Sequence, residues 1–541
     1  MSERKNIAKR AGMVGFFTLI SRIAGLIRDM SVAYAFGTHV AADAFFVAFR
    51  IPNLLRRLFA EGALTVSFVP VFTQYLKKSY EEAKKVVNVT FTVQTVALIA
   101  ISAAGILLSP WLVKLTAWGF SSDPEKFALT VKLTRVMFPY LLMISLAAWA
   151  MGILNSCKHF GSPAASPIFM NLGIILGALV FTRYFDPPVM GLAIGVLVGG
   201  AMQLACHFPF LAQFKFWPSL TWEPRHPAVK RILGMMVPAA YGAAVYQFNV
   251  IAGTFLASFL PTGSVSYLWY ADRVMEFPLG IFAVSLATVI LPTLSEHAAD
   301  NNVKALKETF GFALRMIFFI TVPAAGGLMI LSNDIIRTLF QHGEFGPAST
   351  QATASALICF AAGLPFISGV RVTSNAFYSM QDSKTPVRVA TMSVAVDFAV
   401  SLALMWSLKH VGLAIAVATA SVFNFVMHVV DFRKKVGALG LGRILAGTAR
   451  TVIATLVMVG AIWAFKRYVP LLPGREGHVM DAARLGVHIV LGIAVYLLAG
   501  LALRMEEFSG LKAILKKRGR AKTPPPIEPA SDPSGPGDIE T

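Results

Sequence analysis

Apolar stretches of about 20 residues, the length that an α-helix needs to cross a bilayer core, follow one another along most of this chain. Only short polar connections separate them. The second stretch is too long and too polar in its middle to be one plain helix, and Pro52 within it predicts a kink or a break. The pattern predicts fourteen spans, at Ala11–Phe36, Ala41–Tyr75, Val86–Trp111, Ala128–Ser156, Ala164–Tyr184, Val189–Phe210, Ile232–Leu260, Val265–Leu294, Thr309–Leu331, Thr350–Tyr378, Val387–Leu408, Val411–Val430, Ile444–Phe465 and Ala482–Leu503.

The second half of this pattern repeats the first at a nearly constant spacing. The sequence GLAI at 191–194 recurs at 412–415, an offset of 221 residues. Arg50 and Arg273 are separated by 223 residues, as are Pro163 and Pro386. The offset equals six spans, an even number, so both copies cross the membrane in the same direction. We therefore predict two parallel lobes related by an axis along the membrane normal, as in alternating-access transporters.

The spans and the repeat together predict an all-α polytopic membrane protein with fourteen transmembrane helices. Two six-helix lobes are followed by two C-terminal helices and a tail that is first basic and then rich in Pro, Ser, Asp and Glu. The end of that tail cannot bury a core and is expected to be disordered. The predicted divisions are an N-lobe over 1–222, a C-lobe over 223–436, a helix pair over 437–508 and the tail over 509–541.

The composition excludes a soluble globular enzyme, because 56% of the residues are hydrophobic and only 14% are charged, against about 25% in ordinary soluble domains. The net charge of +20 mainly reports orientation. Of the 48 Lys and Arg residues, 28 fall on the side that holds both termini and 9 on the other side. By the positive-inside rule both termini are cytoplasmic, and no nucleic-acid partner is expected.

The remaining 11 basic residues lie inside predicted spans, where a charge at the bilayer centre costs about 2.5–3.5 kcal/mol. Those near span ends, such as Arg315, can extend to the interface. The others cluster in the first two spans of each lobe. In the first span Arg22 and Asp29 share a helix face, and Arg28 lies roughly 120° round the helix from them.

The second span carries the next group of charges. Asp43 and Arg50 are seven residues apart and share a face, and the run Asn53, Arg56 and Arg57 follows Pro52. The eighth span, its counterpart in the second lobe, holds three more. There Asp272 and Glu276 are separated by four residues, and Arg273 and Glu276 by three, which places each pair on one face of a helix.

Arginines that face a water-filled cavity between two lobes make a site for an anion, because the planar guanidinium suits phosphate oxygens and stays charged. This interpretation is favoured where basic residues outnumber carboxylates. The carboxylates could neutralise the arginines while the site is empty, hold them in place or exchange protons. The alternative is a set of ion pairs that lock helices together, and for Arg22 with Asp29 the two interpretations are equally supported. We expect the diphosphate to bind Arg28, Arg56 and Arg273, with Arg22 nearby. The charge partners are Asp29, Asp43 and Glu276, and the secondary candidates are Arg50, Asn53, Arg57 and Asp272.

Several of these residues stand in longer motifs. They are SRIAGLIRD at 21–29, ADAFFVAF at 42–49, PNLLRRLFAEGA at 52–63, YADRVMEFP at 270–278 and FYSMQDSKTP at 377–386. In these motifs the chain resembles the MurJ (MviN) family of bacterial lipid II flippases, within the multidrug/oligosaccharidyl-lipid/polysaccharide exporter superfamily. The resemblance covers residues 7–505 and leaves out the acidic, Pro-rich tail.

The resemblance implies a transporter that moves lipid II, a disaccharide peptide linked to undecaprenyl diphosphate, from the cytoplasmic to the periplasmic leaflet of the bacterial inner membrane during peptidoglycan synthesis. It also implies a groove for the polyprenyl tail along the last two spans. The positions that correspond to the family's essential charges are Arg22, Arg28, Asp43, Arg56, Arg273 and Glu276.

No cofactor and no enzymatic activity are expected, because the sequence has no phosphate-binding loop, nucleophile elbow or HExxH motif. We expect a monomer surrounded by membrane lipids. Contact with cell-wall synthases stays open, as does coupling to the membrane potential, to sodium or to protons.

Three other functions remain as alternatives. A flippase for another polyprenyl-diphosphate saccharide would need the same arginines, and only the motif match disfavours it. A drug or cation antiporter of the same superfamily would want an acidic cavity, which the arginine excess argues against. A non-transporting scaffold for cell-wall synthases would leave the arginines dispensable.

Overall fold

The computed structural model describes residues 2–56, 63–469 and 477–508, and this part of the chain is almost entirely helical. The predicted all-α fold class is confirmed. The predicted tail over 509–541 lies outside the described residues, and so does Arg57.

The first predicted lobe consists of helices α1 to α9. The second predicted span comprises two helices, as its polar middle indicated, and Pro52 lies inside the first of them, which continues to Arg56. A proline is tolerated inside a membrane helix where neighbouring groups satisfy the freed carbonyl. The bounds are α1 Ser2–Phe36, α2 Val40–Arg56, α3 Ala63–Lys78, α4 Tyr80–Thr116, α5 Pro124–Met137, α6 Tyr140–Ser156, α7 Gly161–Leu179, α8 Met190–Ala205 and α9 Phe208–Gln213.

The second predicted lobe begins at α10, and its eighth span is interrupted by a π-helical turn at Leu279–Ala283. The eleventh and twelfth predicted spans are two helical segments that meet at a sharp kink at Lys409, whose φ of 51° is not helical; we refer to them together as α16. Helix α14 was not predicted, because it is a short amphipathic segment. The bounds are α10 Pro227–Ala257, α11 Ser264–Pro278, α12 Val284–Ala299, α13 Val303–Ile330, α14 Ser332–Phe340, α15 Pro347–Ser379, α16 Lys384–Val436, α17 Leu441–Tyr468 and α18 His478–Ala502.

The described helices fit a polytopic membrane protein. Nine helical segments of the described ranges are long and apolar enough to cross a bilayer. One of them is α16, which is divided by the kink at Lys409 and so supplies two predicted spans; another joins α5 to α6. The predicted number of fourteen spans is compatible with this arrangement.

Close helix packing in the first lobe depends on small residues. A β-carbon on Gly173 of α7 would lie 2.4 Å from the Cα of Gly199 on α8, and one on Gly177 would lie 2.8 Å from the carbonyl oxygen of Gly191. Both positions therefore require glycine. Such small-residue faces let membrane helices approach closely without a hydrophobic driving force. Helix α7 packs on α1 as well, so this rigid pair supports the arginine-bearing first helix.

The lobes meet through a few helices. Helix α2 of the first lobe packs on α11 of the second, and α10 packs on α3. The C-terminal pair joins the second lobe where α17 packs on α13. The Arg315 guanidinium there lies 3.4 Å from the carboxylate of Glu507, which follows α18. Arg315 therefore pairs with a buried carboxylate beyond the end of the last helix, and its extension to the interface stays a prediction.

Candidate substrate site and the closed end of the molecule

Asp43, near the start of α2, is a fully enclosed carboxylate that joins the two lobes. Its side chain is 1% exposed and lies 2.9 Å from Lys126 Nζ, which begins α5 and is itself 5% exposed. The other donors come from the second lobe. The backbone N–H groups of Gly263 and Ser266 donate to it at 2.8 and 3.0 Å, and the Ser266 hydroxyl donates at 2.6 Å. Because these N–H groups begin α11, Asp43 caps that helix from the opposite lobe.

Further contacts between the lobes surround this cap. The hydroxyls of Thr38 and Ser349 are hydrogen-bonded at 2.7 Å, and the Glu344 N–H donates to the carbonyl of Tyr34 at 3.0 Å. A β-carbon on Gly37, whose φ is +52°, would lie 2.2 Å from the Glu344 carbonyl oxygen, so only glycine fits there. We call this region, defined by Thr38, Asp43 and their partners, the closed end.

Farther along α1 from the closed end, Arg28 makes a two-pronged contact with its neighbour in sequence. Its Nε and Nη2 donate to Asp29 at 3.0 and 2.8 Å, and Nη1 donates to the Asn171 side chain of α7 at 3.0 Å. Asn171 in turn donates to the carbonyl of Ser21 at 3.1 Å. Of the two interpretations left open for Arg22 with Asp29, an ion pair between them is not found, because Arg28 binds both oxygens of that carboxylate.

Arg273 of α11 is the counterpart in the second lobe. Its Nη1 lies 2.5 Å from Glu276, so the predicted spacing of three residues does bring these two charges together. Its guanidinium carbon lies 4.6 Å from the centre of the Trp269 ring, one turn earlier on the helix. The Nε of Arg273 has no hydrogen-bond partner among the described residues.

Arg50 of α2 reaches across to the second lobe instead of pairing with Asp43. It donates to the Thr254 hydroxyl, and its guanidinium carbon lies 5.3 Å from the centre of the Trp269 ring. Asp43, seven residues earlier on the same helix, is bound by Lys126 and by the start of α11.

The remaining candidates occupy different surroundings. Arg22 lies against the second lobe, where a β-carbon on Gly280 would be 2.3 Å from its Nη1, and no ion-pair partner for it occurs among residues 2–56, 63–469 and 477–508. Arg56 donates to the Asn53 side chain at 2.9 Å, close to the end of α2. Asp272, next to Arg273, acts electrostatically on that arginine.

These groups form one electrostatic neighbourhood. Arg273 lies within electrostatic range of Asp29 in the first lobe as well as of Glu276 in its own. We call Arg22, Arg28 and Arg273, with Asp29 and Glu276, the arginine centre. It collects three permanent positive charges and two carboxylates from both lobes. Such a set can hold an anion by exchanging carboxylate contacts for phosphate contacts.

An apolar groove begins next to this centre. Its cavity measures about 480 Å³ and starts at Phe277 and Pro278, directly after Glu276. It continues between α13, α17 and α18, with Met458, Ile493 and Tyr496 in its walls. The apolar lining suits a hydrocarbon chain.

Sequence reasoning missed four residues of these two regions. Lys126 is among the 9 basic residues assigned to loops on the side opposite the termini, and Trp269 and Ser266 carried no signal in an apolar run. Asn171 did carry one, because a lone amide in an otherwise apolar span usually has a polar partner across helices.

Comparisons with known proteins agree along most of the chain. The sequence profile of the family described as "Lipid II flippase MurJ" matches residues 32–475. A protein of Burkholderia cenocepacia named "Lipid II flippase MurJ" is 36% identical over 435 residues, covering 80% of this chain and 84% of its own. A "Probable lipid II flippase MurJ" of Rhizobium tropici is 35% identical over 537 residues, covering 97% and 98%.

Solved structures of related transporters superpose on this chain, and the titles of two of them state their conformation. The structure titled "Lipid II flippase MurJ, inward closed conformation" superposes with a TM-score of 0.74 and 27% identity, covering 91% of this chain and 98% of that one. An inward-facing multidrug resistance MATE transporter superposes with a TM-score of 0.64 over 78% of this chain and 95% of its own. Its 16% identity shows a shared fold only.

Proposed function

The chain belongs to the MurJ family of lipid II flippases, and we propose that it moves lipid II from the cytoplasmic to the periplasmic leaflet of the bacterial inner membrane by alternating access. The observation that carries this proposal is the arginine centre. Arg28 and Arg273 come from different lobes, and each has a carboxylate beside it on its own helix. A diphosphate that reaches the centre meets charges from both lobes at once.

Binding on this account is an exchange of partners. The Arg28 and Arg273 side chains are 18% and 25% exposed, so a ligand can reach them without unfolding a helix. The diphosphate replaces Asp29 and Glu276, and the arginines stay charged throughout because a guanidinium is not deprotonated in proteins. Charge-assisted, two-pronged contacts to phosphate then hold the headgroup. The carboxylates reclaim the arginines when the lipid leaves.

The closed end supplies the gate in this proposal. Opening requires that Asp43 leave the first turn of α11 and that the Thr38–Ser349 hydrogen bond break, whereas the pair of Asp43 with Lys126 lies within the first lobe and can persist. The charge bias of 28 against 9 supports cytoplasmic termini, which puts the closed end at the periplasmic face, since α1 ends there. A closed periplasmic end with a charged centre is suited to loading from the cytoplasm.

The membrane potential is the driving force that we propose. Outward movement of a negative headgroup is favoured by about 2.3 kcal/mol per charge at an inside-negative potential of 100 mV. The polyprenyl tail would follow the apolar groove along α13, α17 and α18, whose entrance adjoins Glu276. The tail then stays in hydrocarbon-like surroundings while the headgroup crosses.

The test is leaflet transfer of lipid II in proteoliposomes by Arg28→Ala and Arg273→Ala. Loss of a charge-assisted contact to the diphosphate should slow transfer by about 10- to 100-fold in each variant. The matched control is Arg388→Ala, which removes an equally charged arginine that pairs with Asp431 at 2.7 Å on α16, outside the centre.

Transfer by Arg388→Ala should stay near the wild-type rate. Transfer at that rate by both centre variants would contradict the proposal and would favour a non-transporting scaffold. Repeating the assay with another polyprenyl-diphosphate saccharide distinguishes a broader flippase from one for lipid II.

A further inference from the structure

Helices α2 and α11 occupy equivalent places in the internal repeat, and they touch through equivalent residues. Asp43 contacts Ser266, and the ring of Phe46 stacks on that of Trp269 with centres 4.7 Å apart. In both contacts the partners are separated by 223 residues, the offset of the repeat. The two helices therefore cross on the axis that relates the lobes. A side chain at this crossing contacts both lobes, so its position depends on how they are docked.

Trp269 is the residue at the crossing that meets both arginines of the repeat. Arg50 of the first lobe and Arg273 of the second are themselves 223 residues apart. Their guanidinium carbons lie 5.3 and 4.6 Å from the centre of the Trp269 ring. The ring is 7% exposed and rests on Phe46, so it is itself fixed. A cation near an aromatic ring at these distances is attracted by the ring quadrupole.

The other contacts of Arg273 indicate what the attraction to the Trp269 ring does. Glu276 holds one end of the guanidinium, and Trp269 lies against it from the preceding turn. In the proposed function the diphosphate displaces Glu276. From that moment the ring is the remaining described contact that fixes where Arg273 points. The Arg273 Nε, which has no acceptor among the described residues, is a further donor that an incoming oxygen can use.

We propose that Trp269 is a positioning residue for diphosphate binding: its ring holds Arg273 in place for the anion, and its contact with Arg50 links that placement to the docking of α2 on α11. This inference rests on the proposed function. It assigns no contact between Trp269 and the substrate.

The test measures binding of undecaprenyl diphosphate to the purified full-length protein in detergent. Trp269→Leu removes the ring and should weaken binding about fivefold, in keeping with the strength of a partly desolvated cation–π contact. Trp269→Phe keeps an aromatic face and should stay within about twofold of wild type. The matched control is Tyr267→Leu, which removes an aromatic ring from the same helix that contacts His410.

A double-mutant cycle separates positioning from general packing. Trp269→Leu should add little to the loss caused by Arg273→Ala, because the ring acts through that arginine. Equal losses in Trp269→Leu and Tyr267→Leu, or in Trp269→Leu and Trp269→Phe, would overturn the inference. So would additive losses in the double variant. Wild-type binding by Arg273→Ala alone would instead refute the proposed diphosphate site itself.

Discussion

The closed end and the arginine centre are both charged regions between the same two lobes, but their charges are satisfied to different degrees. Asp43 accepts from Lys126, two backbone N–H groups and a hydroxyl, and almost none of it is exposed. Arg273 has one carboxylate, one ring and an Nε without an acceptor among the described residues. A buried charge with every contact made holds two surfaces together, whereas a partly satisfied and reachable one can take a ligand.

The largest expected effect tests the closed end. Removing the charge of Asp43 leaves Lys126 buried without its carboxylate partner, and breaking a buried ion pair typically costs about 3–5 kcal/mol. We expect Asp43→Asn to open this end, so that a cysteine placed at Thr38 reacts faster with a membrane-impermeant maleimide. Affinity for undecaprenyl diphosphate should change little.

The control for this prediction removes both charges. In Asp43→Asn/Lys126→Met no buried charge is left unpaired, so labelling should return toward the wild-type rate. Equal labelling of Asp43→Asn and the wild type would refute the role of Asp43 in closure.

Neutralising a carboxylate of the arginine centre should change ligand affinity and leave the closed end as it is. Glu276→Gln removes the carboxylate that competes with the ligand for Arg273. We expect undecaprenyl diphosphate to bind about tenfold more tightly, in line with the worth of a hydrogen bond to a charged group, and lipid II transfer to slow because release is hindered. Labelling at Thr38 should stay unchanged. Weaker binding would mean that Glu276 helps to orient Arg273 and does not compete for it.

A smaller effect on ligand affinity is expected from removing Asn171, which accepts a hydrogen bond from Arg28. Asn171→Ala removes one hydrogen bond to the guanidinium and leaves the Asp29 contact intact. The expected loss is about 1 kcal/mol, or about fivefold in affinity for undecaprenyl diphosphate. Asn171→Asp is the informative companion, because an added carboxylate should compete with the ligand and weaken binding further. Identical affinities in all three proteins would remove Asn171 from the centre.

The smallest effect concerns a carboxylate outside the spans. Partial burial works to raise the pKa of Asp382, but hydrogen bonds from Lys435 and Thr385 outweigh it and hold that pKa well below its usual value of 3.8. The stability from this lowered pKa is therefore present above pH 3.8 and is lost as the pH falls through the folded-state pKa. Thermal unfolding of Asp382→Asn should show a small loss, constant between pH 5 and 8. A loss that varies across that range would contradict this assignment.

The sequence predicted the helices well because the bilayer imposes their length. Predicted spans such as Ile444–Phe465 lie within the observed Leu441–Tyr468, and the second span, whose polar middle broke the apolar pattern, comprises two helices as expected. The Arg273–Glu276 pair was also predictable, since three residues is one helical turn.

Contacts between segments far apart in the sequence could not be predicted from span length or helical spacing. Lys126 looked like a loop charge because it stands at the edge of an apolar run, and only the packing of α5 on α2 brings it to Asp43. Asp29 could accept from Arg22, on the same helix face, or from the adjacent Arg28, and side-chain rotamers decide between them. Trp269 is one of many aromatic residues in apolar runs, and only the crossing of α2 and α11 distinguishes it.

The central claim is that lipid II transfer requires the closed end to open while the arginine centre binds the headgroup. Cysteines at Thr38 and Ser349, whose hydroxyls are 2.7 Å apart, can link the lobes in a protein whose native Cys157, Cys206 and Cys359 have been replaced. We predict that the oxidised protein binds undecaprenyl diphosphate like the wild type, transfers no lipid II, and recovers transfer on reduction. Undiminished transfer by the fully cross-linked protein would contradict the claim.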